Sequence, residues 1–405
     1  MTTFTRKLAG FRSVCKRYLT SAQKHRGSGV LAARHAKQNV APTKDNGYSA
    51  SVDGNLALIE EIRREIVRSG DRITFERFME LALYHPQHGY YTSHHQRIGK
   101  AGDYFTSVSV GPLFGRLLAK QFLKWREELE NPSEFEVVEF GGHRGQFCDD
   151  VLAAAPDLHY RVVEVGDPLP DSIIGCVFSN EFLDALPVHR VKVAGAKWHE
   201  IYVALSPSGT EPTPAPPKRG QLRLPSDGGV GGGFCESFAP LSSPRLADFL
   251  AGLPVHLMEG YTTEVNLRAL DWLENVSRRL KRGYVLTIDY GHERNDYFAP
   301  HHRDGTLLCY HRHTKSANPY EHIGEQDITS HVEFTSLIEY GKRLGLEPVL
   351  FTDQSHFLLQ IGESEIAEIA TRTAGQLSKE RAAIHQLIHP ELMGRTFKVL
   401  VQKKA

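Results

Sequence analysis

The sequence predicts an α/β fold built on a Rossmann-like parallel sheet, and three observations predict it. Phe135 to Phe140 is a short apolar run that ends in Gly141-Gly142 and opens a helix over Gly145 to Ala155. Tyr160 to Glu164 reads as a second strand directly after that helix. Gly175 to Ser179 reads as a third, buried strand. Strand, glycine turn, helix, strand is how a parallel sheet begins, because each crossover must return the chain to the same end of the sheet.

The chain has 405 residues, 40% of them hydrophobic and 24% charged, an ordinary globular composition for one large domain or two smaller ones. No apolar run is long enough to span a bilayer, so stable membrane insertion is not expected. Lys+Arg and Asp+Glu both number 48, and this balance gives no reason to expect nucleic acid as a partner. The five cysteines are scattered and form no C-x-x-C pair, which argues against a disulfide framework or a thiolate zinc site. Histidines cluster as His94-His95, His301-His302 and His311/His313, spacings poorly suited to one metal, and no metal is expected.

From the amino terminus, residues 1–51 read as a basic leader. The first 44 residues hold ten basic side chains and no acid, and Phe4, Leu8, Phe11, Cys15 and Leu19 share one helical face. Such a segment is either a mitochondrial transit peptide or a basic tail on a cytoplasmic protein. Residues 52–134 read as a helical segment. Leu58, Ile62 and Ile66 fall at helical spacing, Thr74 caps a helix from Phe75 to Tyr84, and Pro112 opens a longer one to Trp125.

The main domain spans 135–405. After the third strand, Glu181 to Ala185 is helix-like. Val188 to Val193 and Trp198 to Leu205 read as a hairpin turned at Gly195, within an inserted lobe of about 188–254. Ser206 to Pro240 is dense in Pro and Gly and reads as a surface loop. Thr263 to Leu280 reads as a helix ended by Gly283, followed by a buried strand from Tyr284 to Ile288. Val332 to Leu344 reads as a helix, and Glu347 to Phe351 and Phe397 to Gln402 as strands.

The chemistry begins at Glu139-Phe140-Gly141-Gly142-His143-Arg144-Gly145. A strand that ends in glycines and opens a helix brings backbone N–H groups close to a ligand. Glu164, at the end of the next strand, stands where an acid commonly binds ribose hydroxyls.

Longer motifs carry a resemblance. They are Ala82 to Tyr91 (ALYHPQHGYY), Gly102 to Ser107 (GDYFTS), Ser179 to Val188 (SNEFLDALPV), Glu264-Val265-Asn266, Thr287 to Gly291 (TIDYG), Gly305-Thr306-Leu307, Gln326 to Thr329 (QDIT) and Met393-Gly394. In this order, from about Ile73 to Val401, they resemble the MidA family of S-adenosyl-L-methionine (SAM)-dependent methyltransferases. The resemblance implies a seven-strand class I methyltransferase sheet with an amino-terminal helical segment and an inserted lobe. It implies SAM as cofactor and a protein substrate, with mitochondrial members acting on an arginine of a core complex I subunit and aiding that complex's assembly.

The cofactor set expected on this basis is Gly102, Asp103, Glu139, Gly141, Gly142, Gly145, Glu164 and Asn180. Glu181 and Asp184 are the candidate catalytic pair. Carboxylates can grip a planar guanidinium in bidentate fashion and hold one nitrogen at the methyl group. Three residues apart on a helix they would share a face; capping that helix is the alternative. Asp103 is a cofactor contact or a turn aspartate, and Asp289 lines the pocket or simply ends its strand.

Two departures stand out. The family loop reads Gly-Pro-Gly-Arg-Gly-Thr, whereas here His143 takes the middle glycine's place, at a cost if that position needs a positive φ. Only the short stretch Val165 to Gly175 separates Glu164 from the next strand, too little for a usual helical crossover. That absent unit commonly contacts the adenine. The alternative to an enzyme is therefore a catalytically degenerate binding or assembly factor with the same fold.

Overall fold

The computed structural model describes residues 54–93, 107–143, 145–206, 233–253, 258–375 and 377–405. The basic leader, His94-His95, the loop with Gly102 and Asp103, and Arg144 lie outside the described residues.

Helix α1 (Leu56–Arg68) buries Leu58, Ile62 and Ile66, as their spacing requires, and Asn55 Oδ1 accepts the N–H groups of Ala57 and Leu58 at its start. Strand β1 (Arg72–Thr74) leads into α2 (Phe75–Tyr84), where Thr74 Oγ1 accepts the Arg77 N–H at 3.1 Å. Such a cap is worth about 1 kcal/mol. Helix α3 (Leu113–Glu128) follows Pro112. Then come β2 (Phe135–Phe140), α4 (Gln146–Ala154), β3 (His159–Val163) and β4 (Ile173–Asn180).

The hairpin β5 (His189–Ala194) and β6 (Lys197–Leu205) turns at Gly195 as expected. The supposed surface loop beyond it contains a strand, β7 (Phe234–Ala239), which pairs with β6. Then follow α5 (Pro244–Ala251), β8 (Thr262–Val265), α6 (Leu267–Arg279) and β9 (Leu280–His292). Short strands β10 (Leu308–His311), β11 (Thr314–Ser316) and β12 (Asp327–Thr329) form a small sheet. The chain ends with β13 (Val332–Glu333), α7 (Phe334–Arg343), β14 (Glu347–Asp353), α8 (Gln354–Arg372), α9 (Lys379–Ile388) and β15 (Phe397–Lys404).

The main sheet has seven strands in the order β14-β15-β9-β4-β2-β3, with two-residue β13 beside β9. Strands β3, β2, β4 and β9 are parallel, and β15 runs antiparallel to β9 and β14. Because side chains alternate along a strand, β4 serves both faces. Phe178 meets Phe122 of α3 and Phe147 of α4, while Val177 joins the cluster under α6 and α7. A second sheet, β1-β6-β5-β8 with β7, is packed by α1 and α2 through Phe75, Phe78, Val203 and Phe234.

Three further readings are corrected. No helix forms over Glu181 to Ala185; the segment is a bend and turn entered by Glu181 at φ +50°. The helix expected from Thr263 starts at Leu267, because Thr262–Val265 pairs with β5 and Asn266 then caps. Gly283 ends no helix. It sits in β9 opposite Gly175 of β4, and a Cβ there would lie 2.0 Å from the Gly175 carbonyl oxygen. This is a close approach of adjacent strands, which sequence periodicity does not reveal. The short crossover is as read: β3 ends at Val163, β4 begins at Ile173, and β4 pairs with β2 instead of β3. Among the described residues β3 pairs only with β2 and forms the sheet edge.

Gly283→Ala should lower unfolding stability by about 3 kcal/mol or more, since the clash is with backbone and the φ is +141°. Denaturant unfolding of the variant against Gly195→Ala, where nothing lies within 4 Å of the added carbon, measures it.

Candidate active site

Strand β2 delivers the chain to a turn in which Gly141, His143 and Gly145 all have positive φ, at +70°, +50° and +72°. The Gly141 N–H donates to the Val163 carbonyl at 3.0 Å, and the Gly145 N–H to that of Gly142 at 2.9 Å, so the turn is anchored to β3 and closed on itself. His143 therefore occupies the left-handed region that favours glycine, at a cost of roughly 1–2 kcal/mol. The residue is exposed.

Beneath the turn Glu139 is buried, accepts the Tyr160 hydroxyl at 2.9 Å, and lies where a Cβ on Gly142 would strike it. Burial pushes the Glu139 carboxyl up to about 7, against the Tyr160 hydrogen bond. Glu139 thus props the turn from behind. Glu164, at the end of β3, is raised by burial, partly offset by a backbone hydrogen bond from His143. Phe182 packs against Gly141, 2.9 Å from where a Cβ would sit. Valine at position 141 would thus strain the backbone and displace Phe182.

The neighbouring strand β4 ends at Asn180, which pairs with Ile288 of β9. The Ser179 Oγ and Asn180 Oδ1 are buried here without a hydrogen-bond partner among the described residues. Beyond them the 181–185 turn is held by one carboxylate. Asp289 Oδ2 accepts the N–H groups of Phe182, Leu183 and Asp184 at 3.2, 2.9 and 3.3 Å, and Oδ1 accepts that of Tyr290 at 2.8 Å. Asn266 donates to the Leu183 carbonyl at 2.8 Å, Tyr84 to that of Ala185 at 3.0 Å, and the Ser330 N–H to that of Asp184 at 2.9 Å.

Held this way, Glu181 and Asp184 line one cavity of about 450 Å³, with Asp327, Tyr91, Tyr290, Tyr310 and His331 among its other walls. The turn, and no helix, brings the two acids together. Glu181 accepts from the Ser107 N–H and from Asn180 Nδ2, both at 3.0 Å. Burial, opposed by the Ser107 bond and reinforced by Asp289, pushes its carboxyl up to about 8. Burial and the neighbouring Asp289, Asp327 and Glu181 hold Asp184 well above the usual range. Asp327, which accepts the Tyr91 hydroxyl at 2.7 Å, is a cavity acid that single-residue reasoning missed, although its QDIT motif marked the segment.

Glu264, in another motif, accepts Thr306 N–H and Oγ1 at 2.7 and 3.1 Å, and Gly305 leaves room for it. With Glu236 it faces the buried Arg190 guanidinium, which lies 4.9 Å over the Phe75 ring. That network builds the lobe and stays out of the cavity.

A family model described as "Putative S-adenosyl-L-methionine-dependent methyltransferase" matches residues 163–352. The chain is 23% identical over 414 residues to "Protein arginine methyltransferase NDUFAF7 homolog, mitochondrial" of Drosophila melanogaster, covering 87% of this chain and 86% of the fly protein. It is 24% identical to "Protein arginine methyltransferase NDUFAF7, mitochondrial" of Homo sapiens, covering 82% and 80%. A crystal structure from Burkholderia thailandensis, a "likely methyl transferase" bound to S-adenosyl-homocysteine, matches with a TM-score of 0.73 at 29% identity, over 86% of this chain and 92% of that one.

The buried acids have a thermodynamic consequence. Glu181 is raised from 4.5 to about 8 on folding, so its contribution to stability is complete below about pH 4.5 and is lost as pH climbs through 8. Denaturant unfolding should show a smaller fall between pH 5 and 8.5 for Glu181→Gln than for the parent protein.

Proposed function

We propose that the chain, a SAM-dependent methyltransferase that resembles the MidA family, takes an arginine side chain of a protein as its acceptor. The observation that carries the reading is the set of three carboxylates, Glu181, Asp184 and Asp327, in one cavity.

The residues present suit the cofactor. The turn offers backbone N–H groups at the start of α4, and Gly145 has no heavy atom within 4 Å of where a side chain would stand. Glu164 offers a carboxylate for hydroxyl groups, and Asn180 Oδ1 is a buried acceptor without a partner among the described residues. Gly141, Gly142, Gly145, Glu164 and Asn180 are assigned to cofactor binding, with Glu139 as the support behind them. Gly102 and Asp103 lie outside the described residues. The cofactor, when bound, supplies a methyl group already activated on a sulfonium.

The protein's part is alignment and charge. Burial raises the carboxyls of Glu181 and Asp184, which disfavours their charged form. An entering guanidinium brings the positive charge that favours their ionised form. Two carboxylates then grip its planar fork and fix one nitrogen in line with the methyl group. Tyr91, Tyr290 and Tyr310 supply aromatic walls that suit a flat cation and narrow the access of water.

The names of the relatives support the arginine acceptor, and those relatives are mitochondrial by name. On the family resemblance we extend the reading to a complex I core subunit as partner and to the mitochondrial matrix as location. No helix among the described residues is long and apolar enough to cross a membrane.

Two measurements test the assignment. Tritiated SAM is supplied to an extract of cells lacking the protein, and the labelled residue is identified by mass spectrometry. Glu181→Gln and Asp184→Asn should each cut labelling at least tenfold while cofactor binding by calorimetry persists, since each removes one arm of the grip. Full labelling by both variants, or label on a residue other than arginine, would overturn it. Glu164→Ala should weaken SAM binding roughly tenfold with little change in melting temperature.

A further inference from the structure

Resting on the methyl-transfer reading, we propose that His331, His292 and Asp296 form a relay that carries the proton released by the acceptor nitrogen from the cavity to the protein surface. When a methyl group passes from sulfonium to a protonated guanidinium, the S–C bond breaks and an N–C bond forms. The electron pair of the S–C bond stays on sulfur, which becomes neutral. The guanidinium ends with its single positive charge only if one N–H proton leaves. Each turnover therefore deposits a proton in a cavity already crowded with carboxyls.

The structure holds a path for it. His331 lines the cavity, and its Nδ1 lies 2.9 Å from His292 Nε2. His292 Nδ1 lies 2.6 Å from Asp296 Oδ2, and the Asp296 side chain is 56% exposed. A carboxylate only accepts, so His292 donates from Nδ1 and keeps a lone pair on Nε2. His331 must then donate from Nδ1, which leaves its lone pair on Nε2. That nitrogen has no hydrogen-bond partner among the described residues. The order of donors is thus set by Asp296 and runs outward from the cavity.

A proton taken by His331 Nε2 lets the Nδ1 proton pass to His292 Nε2, whose own Nδ1 proton passes to Asp296 and then to water. The surroundings keep the rings neutral between turnovers. Burial comes first, then His292, His302 and Lys315, which hold His331 down to about 3. Burial, His302 and Lys398 lower His292 against the pull of Asp296. His302 lies 4.7 Å from the His292 ring, His301 is 3.3 Å from Asp296, and Tyr290 stacks on His331 at 6.4 Å. The His331 backbone N–H is held by Thr306 Oγ1 at 3.1 Å, which fixes the ring's entry to the cavity.

The test uses the full chain with tritiated SAM and the extract described above. His292→Asn and His331→Asn should bind the cofactor like the parent and transfer methyl roughly a hundredfold more slowly at pH 7. The deficit should shrink toward pH 9 and on adding imidazole, which a merely structural role would not produce. Nitrogen-15 spectra of labelled histidine should show His331 and His292 as Nδ1–H tautomers at pH 7. Rates equal to the parent, a deficit indifferent to pH and imidazole, or an Nε2–H tautomer on His331 would overturn the relay alone. Parent protein that binds SAM but labels nothing would overturn the transfer reading and the relay with it.

Discussion

The Asp289 carboxylate is the contact on which the site depends. It is fully buried at the end of β9 and takes four backbone N–H groups, three of them from the 181–185 turn. Burial raises its carboxyl to about 7, while those four donors pull it back toward the ionised form. A turn that starts at a residue with φ +50° is not a low-energy conformation by itself. The strand end that anchors it is also the strand end that lines the cavity through Tyr290. Scaffold and site therefore share one residue, and the geometry of Glu181 and Asp184 follows from it.

From that anchor the other motifs acquire physical roles. Asn266 caps α6 through the Ala269 N–H and also holds the Leu183 carbonyl, so the second sheet and the turn are joined at one side chain. Ser107 donates its N–H to Glu181 and its hydroxyl to Gln354. Gly305 makes room for Glu264, which in turn orders Thr306, and Thr306 holds His331. Residues scattered over more than two hundred positions thus act on one cavity.

The electrostatics of that cavity favour a cation. Among the described residues, three acids line it, and Lys315 and the histidines are the basic side chains there. Burial and nearby acids oppose the ionisation of Glu181 and Asp184. His143 bears the backbone strain and is exposed, and among the described residues β3 is a sheet edge.

By itself the sequence determined the repeating parts of the fold. Periodicity and turn residues were enough for α1, α2, the opening β2-turn-α4-β3 unit and the β5–β6 hairpin, because those elements are specified by local patterns of burial and capping. It also exposed the short crossover after Glu164 and the unusual His143. Only the tertiary structure decided what depends on distant partners. Gly283 looks like a helix stop until β4 is placed against β9, and Glu181 to Ala185 looks helical until Asp289 claims its N–H groups. The convergence of Asp327 and His331 on the same cavity as Glu181 needs the small β10–β12 sheet folded over the main one. Long-range hydrogen bonds and close strand contacts overrule local propensity there, and no pattern within a dozen residues encodes them.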